Sequence, residues 1–246
     1  MVKIFKRTYK RRGYKLKKRT YRRKGARSNT YKTSIQKSLA FSKSQIVKLR
    51  YIQQVQLNPA ATAGSVAWIY YSANSINSPN IGQSPNVSYS ASHQPLGHDQ
   101  WSTVYNHYLV LGSKMSVQLI PNNSVSPFLA GGLATLMLQD TATSIIVAST
   151  VMESGRATYK NIAPNGTGPY RLRKSCSVKK FFNVRNLKDN IDNYGSLFGS
   201  NPAEQAYYNL QFFPTDTTVT GVLGPMCLVT IDYVVLMTGP KDLSQS

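Results

Sequence analysis

The chain has 246 residues, with thirty Lys or Arg against nine Asp or Glu, a formal net charge of +21 and 41% hydrophobic residues. That length suits one domain of about 200 residues plus a tail, and no segment reaches the roughly 18 apolar residues of a membrane span. Cys176 and Cys227 are the only cysteines, far apart and in no Cys-x-x-Cys pattern, which excludes a disulfide framework and predicts two buried small hydrophobes. No apolar run follows the basic N-terminus, so no secretory signal is expected, and the sequons at Asn86, Asn122 and Asn165 carry no meaning.

The charge is uneven. Residues 1–27 hold fourteen basic side chains and no acid: Lys3, Lys6, Arg7, Lys10, Arg11, Arg12, Lys15, Lys17, Lys18, Arg19, Arg22, Arg23, Lys24 and Arg27. Residues 51–246 carry eleven basic side chains against all nine acids, a net of +2. A self-repelling stretch with little to bury is expected to stay disordered, and its partner is expected to be a polyanion. Tyr9, Tyr14, Tyr21 and Tyr31 sit among the cations, either as stacking platforms for unpaired bases or as spacers. Residues 1–43 are therefore read as a nucleic-acid-binding arm and linker, and 44–246 as the folded domain.

From Gln45 the pattern alternates. Val47, Leu49, Tyr51, Val55 and Leu57 share one parity, broken only by Gln53, with Lys48, Arg50, Gln54 and Gln56 on the other. This predicts a long half-buried strand, ended by Asn58-Pro59. A second strand is predicted over about 65–72. Residues 73–98, rich in Ser, Asn, Pro and Gln, read as one long loop without strand or helix period. The spacing of Trp101, Val104, Tyr105 and Tyr108 predicts a short helix over 99–107 with Asp99 as N-cap. A strand follows, with Leu109, Leu111, Met115, Val117 and Leu119 facing one way and Lys114, Ser116 and Gln118 the other. Residues 132–139 and 144–152 read as shorter strands, the latter from the β-branched Ile145, Ile146 and Val147.

Tyr170 opens another strand, with Arg171 and Arg173 on one face. Asn201-Pro202-Ala203-Glu204 reads as a brief turn or helix. Strands over about 206–213 and 226–238 complete the count. The sum predicts an all-β fold: an eight-stranded antiparallel jelly-roll sandwich with long loops and one or two short helices. An immunoglobulin-like sandwich is the competitor, without its Cys…Trp…Cys signature.

No constellation for catalysis is visible, and neither catalytic residues nor a cofactor is expected. His93, His98 and His107 have no cysteine at metal spacing, so no metal site is expected. What remains is basic. Lys48 and Arg50 continue the arm onto the body and are candidate nucleic-acid contacts. Arg171, Arg173, Lys179 and Lys180, with Lys174, Arg185 and Lys188 nearby, form a second group, read either as further phosphate contacts or as a solvated face.

Three stretches resemble the capsid proteins of circoviruses and related small viruses with circular single-stranded DNA. They are the basic N-terminus; Asp99-Gln100-Trp101, Tyr105, Tyr108 and Leu111-Gly112-Ser113-Lys114; and Tyr194-Gly195-Ser196-Leu197-Phe198-Gly199 with Asn201-Pro202-Ala203-Glu204-Gln205 and Val229-Thr230-Ile231-Asp232-Tyr233. The arm departs from that pattern by mixing lysine with arginine. The resemblance implies a jelly roll, a T=1 shell of sixty copies, a single-stranded DNA cargo and inward arms. Sixty such arms neutralise on the order of 840 phosphates at one charge per nucleotide. It also implies a nuclear phase, with Lys10-Arg11-Arg12, Lys17-Lys18-Arg19 and Arg22-Arg23-Lys24 as candidates for host import receptors, and residues 73–98, 121–131, 153–169 and 214–225 as exposed surface and subunit contacts. Cell-surface sulfated glycans are a further expected partner. The alternatives are an RNA-packaging satellite-like coat protein, or a non-viral basic-tailed β-sandwich that binds nucleic acid or glycans.

Overall fold

The computed structural model describes residues 41–59, 64–121, 131–163, 168–215 and 223–242. The chain divides into two units, residues 1–37 and 38–246. Every arm residue from Lys3 to Arg27, with Tyr31, lies outside the described residues, as do Asn122 and Asn165.

The second unit opens with strands β1 (Ser44–Gln56), β2 (Ala67–Ser72), β3 (Asn80–Gln83) and β4 (Ser88–Tyr89), then helix α1 (His98–Val104) and strand β5 (Tyr105–Ile120). Strand β6 (Gly132–Gln139), helix α2 (Ala148–Glu153) and strands β7 (Ala157–Ile162) and β8 (Tyr170–Ser177) follow. Helix α3 (Val178–Phe181), a 3-10 turn (Leu187–Asn190), helix α4 (Ile191–Tyr194) and strands β9 (Gly195–Leu197), β10 (Tyr207–Pro214) and β11 (Met226–Pro240) complete it.

Two sheets form. One runs β4-β1-β11-β5-β8, with β9 also on β5; the other runs β3-β2-β10-β6-β7. Every pairing is antiparallel. With the short β3, β4 and β9 set aside, eight strands remain. In chain order the first pairs the eighth, the eighth the third and the third the sixth, while the second pairs the seventh, the seventh the fourth and the fourth the fifth. That is jelly-roll connectivity, as the alternation predicts.

Inward-facing residues of both sheets make one core. Leu49, Tyr51 and Val55 of β1 meet Ile69 and Tyr71 of β2, Tyr208, Leu210 and Phe212 of β10, and Val229, Ile231 and Tyr233 of β11. Both cysteines are buried in it and unbridged, and burial pushes the Cys176 thiol up to about 12. The core is wet with hydroxyls. Tyr233 Oη donates to Ser72 O at 2.7 Å, Tyr208 Oη to Ser113 O at 3.0 Å and Tyr71 Oη to Gln53 Oε1 at 2.9 Å. Gln53, which breaks the apolar parity of β1, is thus an inward hub whose Nε2 also donates to Ser90 O at 2.9 Å.

Several sequence expectations are corrected. Residues 73–98 are not a single exposed loop: Ala73, Asn74, Ser75 and Ile76 are fully buried, and β3 and β4 pair with β2 and β1. Polar side chains stand in for strand partners there, since Asn74 Nδ2 donates to Glu204 O at 2.7 Å and Asn74 Oδ1 accepts from Ala206 N at 2.9 Å. The segment 144–152 is not a strand but an irregular stretch ending in α2, because it lies over a sheet face rather than beside an edge. Residues 153–169 include the strand β7. Helix α1 ends at Val104 and is capped by Gly97 at φ 89°, with Asp99 in the first turn instead. Residues 201–206 form no helix. In β5 the register slips beside Val234/Val235, so Leu111 falls out of phase with Met115, Val117 and Leu119. Among the described residues there are four short helices, two of them within 178–194.

Candidate nucleic-acid interface

Alternation in the first sheet sends one set of side chains inward and the other out. The pairing registers then lay the outward set in rows across β1, β11, β5 and β8. Arg50, Asp232, Lys114 and Ser175 form one row; Ile52, Thr230, Ser116 and Arg173 the next; Gln54, Leu228, Gln118 and Arg171 a third. On the other side of the first row lie Lys48, Val234, Gly112 and Ser177. Neighbouring strands are about 4.8 Å apart, so each row spans roughly 14 Å.

Lys48, Arg50, Lys114, Arg171 and Arg173 therefore share one face, opposed among the described residues by the single carboxylate of Asp232. Arg50 Nε donates to Asp232 Oδ1 at 2.6 Å, in a pair whose side chains are 63% and 46% exposed. That hydrogen bond and charge push the Arg50 guanidinium above its ordinary value. Two hollows open on the face. One, of about 720 Å3, is lined by Lys48, Arg50, Gly112, Lys114, Asp232 and Val234. The other, of about 360 Å3, is lined by Arg50, Lys114, Ser116, Arg171, Arg173 and Asp232. Such a face can hold a chain of phosphates by charge and hydrogen bonding.

The structure thus brings together four sequence candidates, Lys48, Arg50, Arg171 and Arg173. It separates Lys180, which lines a different depression of about 650 Å3 with Arg156, Lys174, Asp140 and Glu204. Lys179 is exposed on α3. Lys114 and Asp232 were missed as site residues. Their outward parity is legible in the alternation of β5 and β11, but the register that seats them between Arg50 and Arg173 is not.

Two of the histidines make ring contacts. His93 stacks on Tyr51 at 4.7 Å, and the buried His98 meets Asp99 Oδ1 at 3.1 Å and the edge of Phe198. Among the described residues no three His, Cys, Asp or Glu come together as metal ligands. Two of the stretches that carry the family resemblance touch across the fold. Tyr108 Oη donates to Ser200 O at 2.7 Å and its ring lies 5.6 Å from that of Phe198.

No protein-family model and no curated protein matches the chain. Among solved structures it is similar to Cocksfoot mottle virus, with a TM-score of 0.45, 8% identity, and coverage of 80% of this chain and 95% of that one. It is also similar to Desmodium yellow mottle tymovirus, with a TM-score of 0.41, 12% identity, and coverage of 84% and 94%. A third likeness is to the decameric BFDV capsid protein, with a TM-score of 0.39, 11% identity, and coverage of 79% and 98%.

Proposed function

We propose that the chain is a viral coat protein that assembles into a small icosahedral shell and packages single-stranded nucleic acid. The observation that carries this reading is the gathering of Lys48, Arg50, Lys114, Arg171 and Arg173 on one outward sheet face of a jelly roll. The strand that opens that sheet, β1, follows the basic arm directly in sequence. A cationic sheet face and a polycationic arm on one near-neutral domain make a repeating unit for lining a cavity with charge.

In the finer form of the proposal sixty copies close a T=1 shell, the cargo is circular single-stranded DNA, and the virus is circovirus-like. The motif order from Asp99 to Tyr233 supports that form. Import receptors read the arm clusters Lys10-Arg11-Arg12, Lys17-Lys18-Arg19 and Arg22-Arg23-Lys24, which routes assembly through the host nucleus.

The test is to express the chain and image it by negative-stain electron microscopy. Uniform shells are expected, and persistent monomers at all salts and concentrations would sink the reading. Deleting residues 1–27 should reduce cargo uptake far more than shell formation. Nuclease digestion of the recovered cargo decides between DNA and RNA.

A further inference from the structure

The cationic face contains one feature that phosphate binding does not explain. Among the described residues its single acid is Asp232, which sits between Arg50 and Lys114 in their row. A carboxylate repels phosphate, so a face that met only backbone would be better without it. Among the described residues only Arg50 pairs with Asp232, and only through Oδ1. Lys114, its cross-strand neighbour on β5, makes no ion pair there. Oδ2 is thus an acceptor on a half-exposed side chain whose orientation is fixed from the Arg50 side.

The hollows give that acceptor something to face. Both are lined by Arg50, Asp232 and Lys114, so these three form a ridge with a hollow on each side. The larger hollow includes Gly112 and the apolar outward side chain of Val234. A Cβ at Gly112 would lie 2.9 Å from Cys176 O, so a side chain there would force the neighbouring strand to shift. Cations on the rim, an apolar patch inside and one oriented acceptor on the ridge together match a nucleotide presented base-first, not a phosphate chain alone.

We infer that this face reads unpaired bases: Asp232 Oδ2 accepts an exocyclic amino N–H of a base seated in the hollow, while Lys48, Lys114, Arg171 and Arg173 hold the flanking phosphates. This rests on the nucleic-acid reading above and names its ligand as single strands that carry amino-bearing bases. Cytosine offers its N4 amino group to a carboxylate. Thymine and uracil offer only a ring N–H flanked by two carbonyl oxygens, which repel the same carboxylate.

The test uses the full-length protein, with fluorescence anisotropy on labelled oligodeoxycytidylate and oligodeoxythymidylate of equal length at neutral pH. The arm is the same in the wild type and in a variant of the face, so a change in the ratio between the two proteins reads the face alone. The wild type should bind the cytosine strand roughly fivefold tighter, a single good base contact. Asp232→Asn should bring the ratio to about one while total affinity rises, since a negative charge leaves a cationic face. An equal ratio in the wild type, or a preference unchanged in Asp232→Asn, overturns the inference. The paired variant Lys114→Ala, Arg173→Ala separates the two levels. Where the cytosine preference has failed, an equal weakening of both oligomers by this pair shows that the face still binds phosphates and that only base reading is lost. If it weakens neither, the nucleic-acid reading of this face fails with it.

Discussion

The two sheets turn opposite kinds of surface outward. In the β3-β2-β10-β6-β7 sheet the outward residues Tyr70, Asn209, Gln211, Thr135 and Met137 are all buried, because the chain between β6 and β7 folds back over them. Gln139 Nε2 donates to the carbonyls of Thr141 and Thr143, Gln211 Nε2 donates to Ile145 O at 3.1 Å, and Val151 of α2 packs on Met137 and Phe213. Among the described residues the β1-β11-β5-β8 sheet has no such cover over its Lys48–Arg171 region, where Lys48, Arg50, Gln54, Lys114, Arg171 and Arg173 are exposed. The first face is closed by the chain itself. The second is left as cations in water, which is the surface that the proposed binding of a polyanion needs.

Exchanging the character of the two faces should give the largest difference. Val151→Asp places an unpaired charge at a fully buried site and should cost about 3–5 kcal/mol, read as a fall in the urea midpoint with new dye binding to exposed apolar surface. Thr230→Asp on the open face should leave stability within about 0.5 kcal/mol. Equal costs at the two positions would show that the faces do not differ in the way described.

Charge reversal on the open face should do the opposite. The pair Lys114→Glu, Arg173→Glu is expected to lower single-strand affinity on the order of 100-fold at moderate salt. It should also reduce the slope of log affinity against log salt by about 1.4, two phosphate contacts at about 0.7 each for single strands. Thermal unfolding should not move. An unchanged salt slope would place the phosphate contacts elsewhere.

The layer between the faces is common to both, and it predicts sensitivity to base. Burial pushes the Tyr108 phenol up to about 12 and raises those of Tyr51, Tyr71, Tyr208 and Tyr233 as well. In the unfolded chain a tyrosine ionises near 10. Each neutral buried phenol therefore contributes stability that is fully present below about pH 10 and is lost as pH rises toward the folded value. Tyr108 alone accounts for roughly 2–3 kcal/mol over that window. Urea midpoints measured from pH 8 upward should be flat to about 10 and fall steeply beyond it, less steeply in Tyr108→Phe.

Alternation made β1, β5 and β11 legible because each is long and has one face in the core. It failed for β3, where Asn80-Ile81-Gly82-Gln83 is half-buried throughout, and for β7, which lies at a sheet edge with five of six residues not buried. β-Branching misled at Ile145-Ile146-Val147, where these residues serve a cover held by side-chain amides of the sheet beneath. The parity of Lys48, Arg50, Arg171 and Arg173 was likewise legible. Their meeting on one face was not, since it depends on pairings between strands more than 100 residues apart, such as Arg50 with Asp232.

The smallest expected effect is the most local and tests the cover itself. Gln211 is fully buried, and its Oε1 has no partner among the described residues. Gln211→Met removes the hydrogen bond to Ile145 O but also removes that unpartnered acceptor. The two changes oppose each other, so global stability should fall by no more than about 1 kcal/mol. The cover, however, loses one of the bonds that hold it to the sheet. Helix α2 is fastened by Val151 N donating to Val147 O at 3.3 Å and Ser154 N to Thr150 O at 3.1 Å, and those amides exchange when the cover lifts. Their hydrogen exchange should speed up about fivefold in Gln211→Met, while that of β11 stays at the wild-type rate. Acceleration throughout both sheets would mean that the cover opens only with the whole fold, making it part of the core and not a separate closing layer.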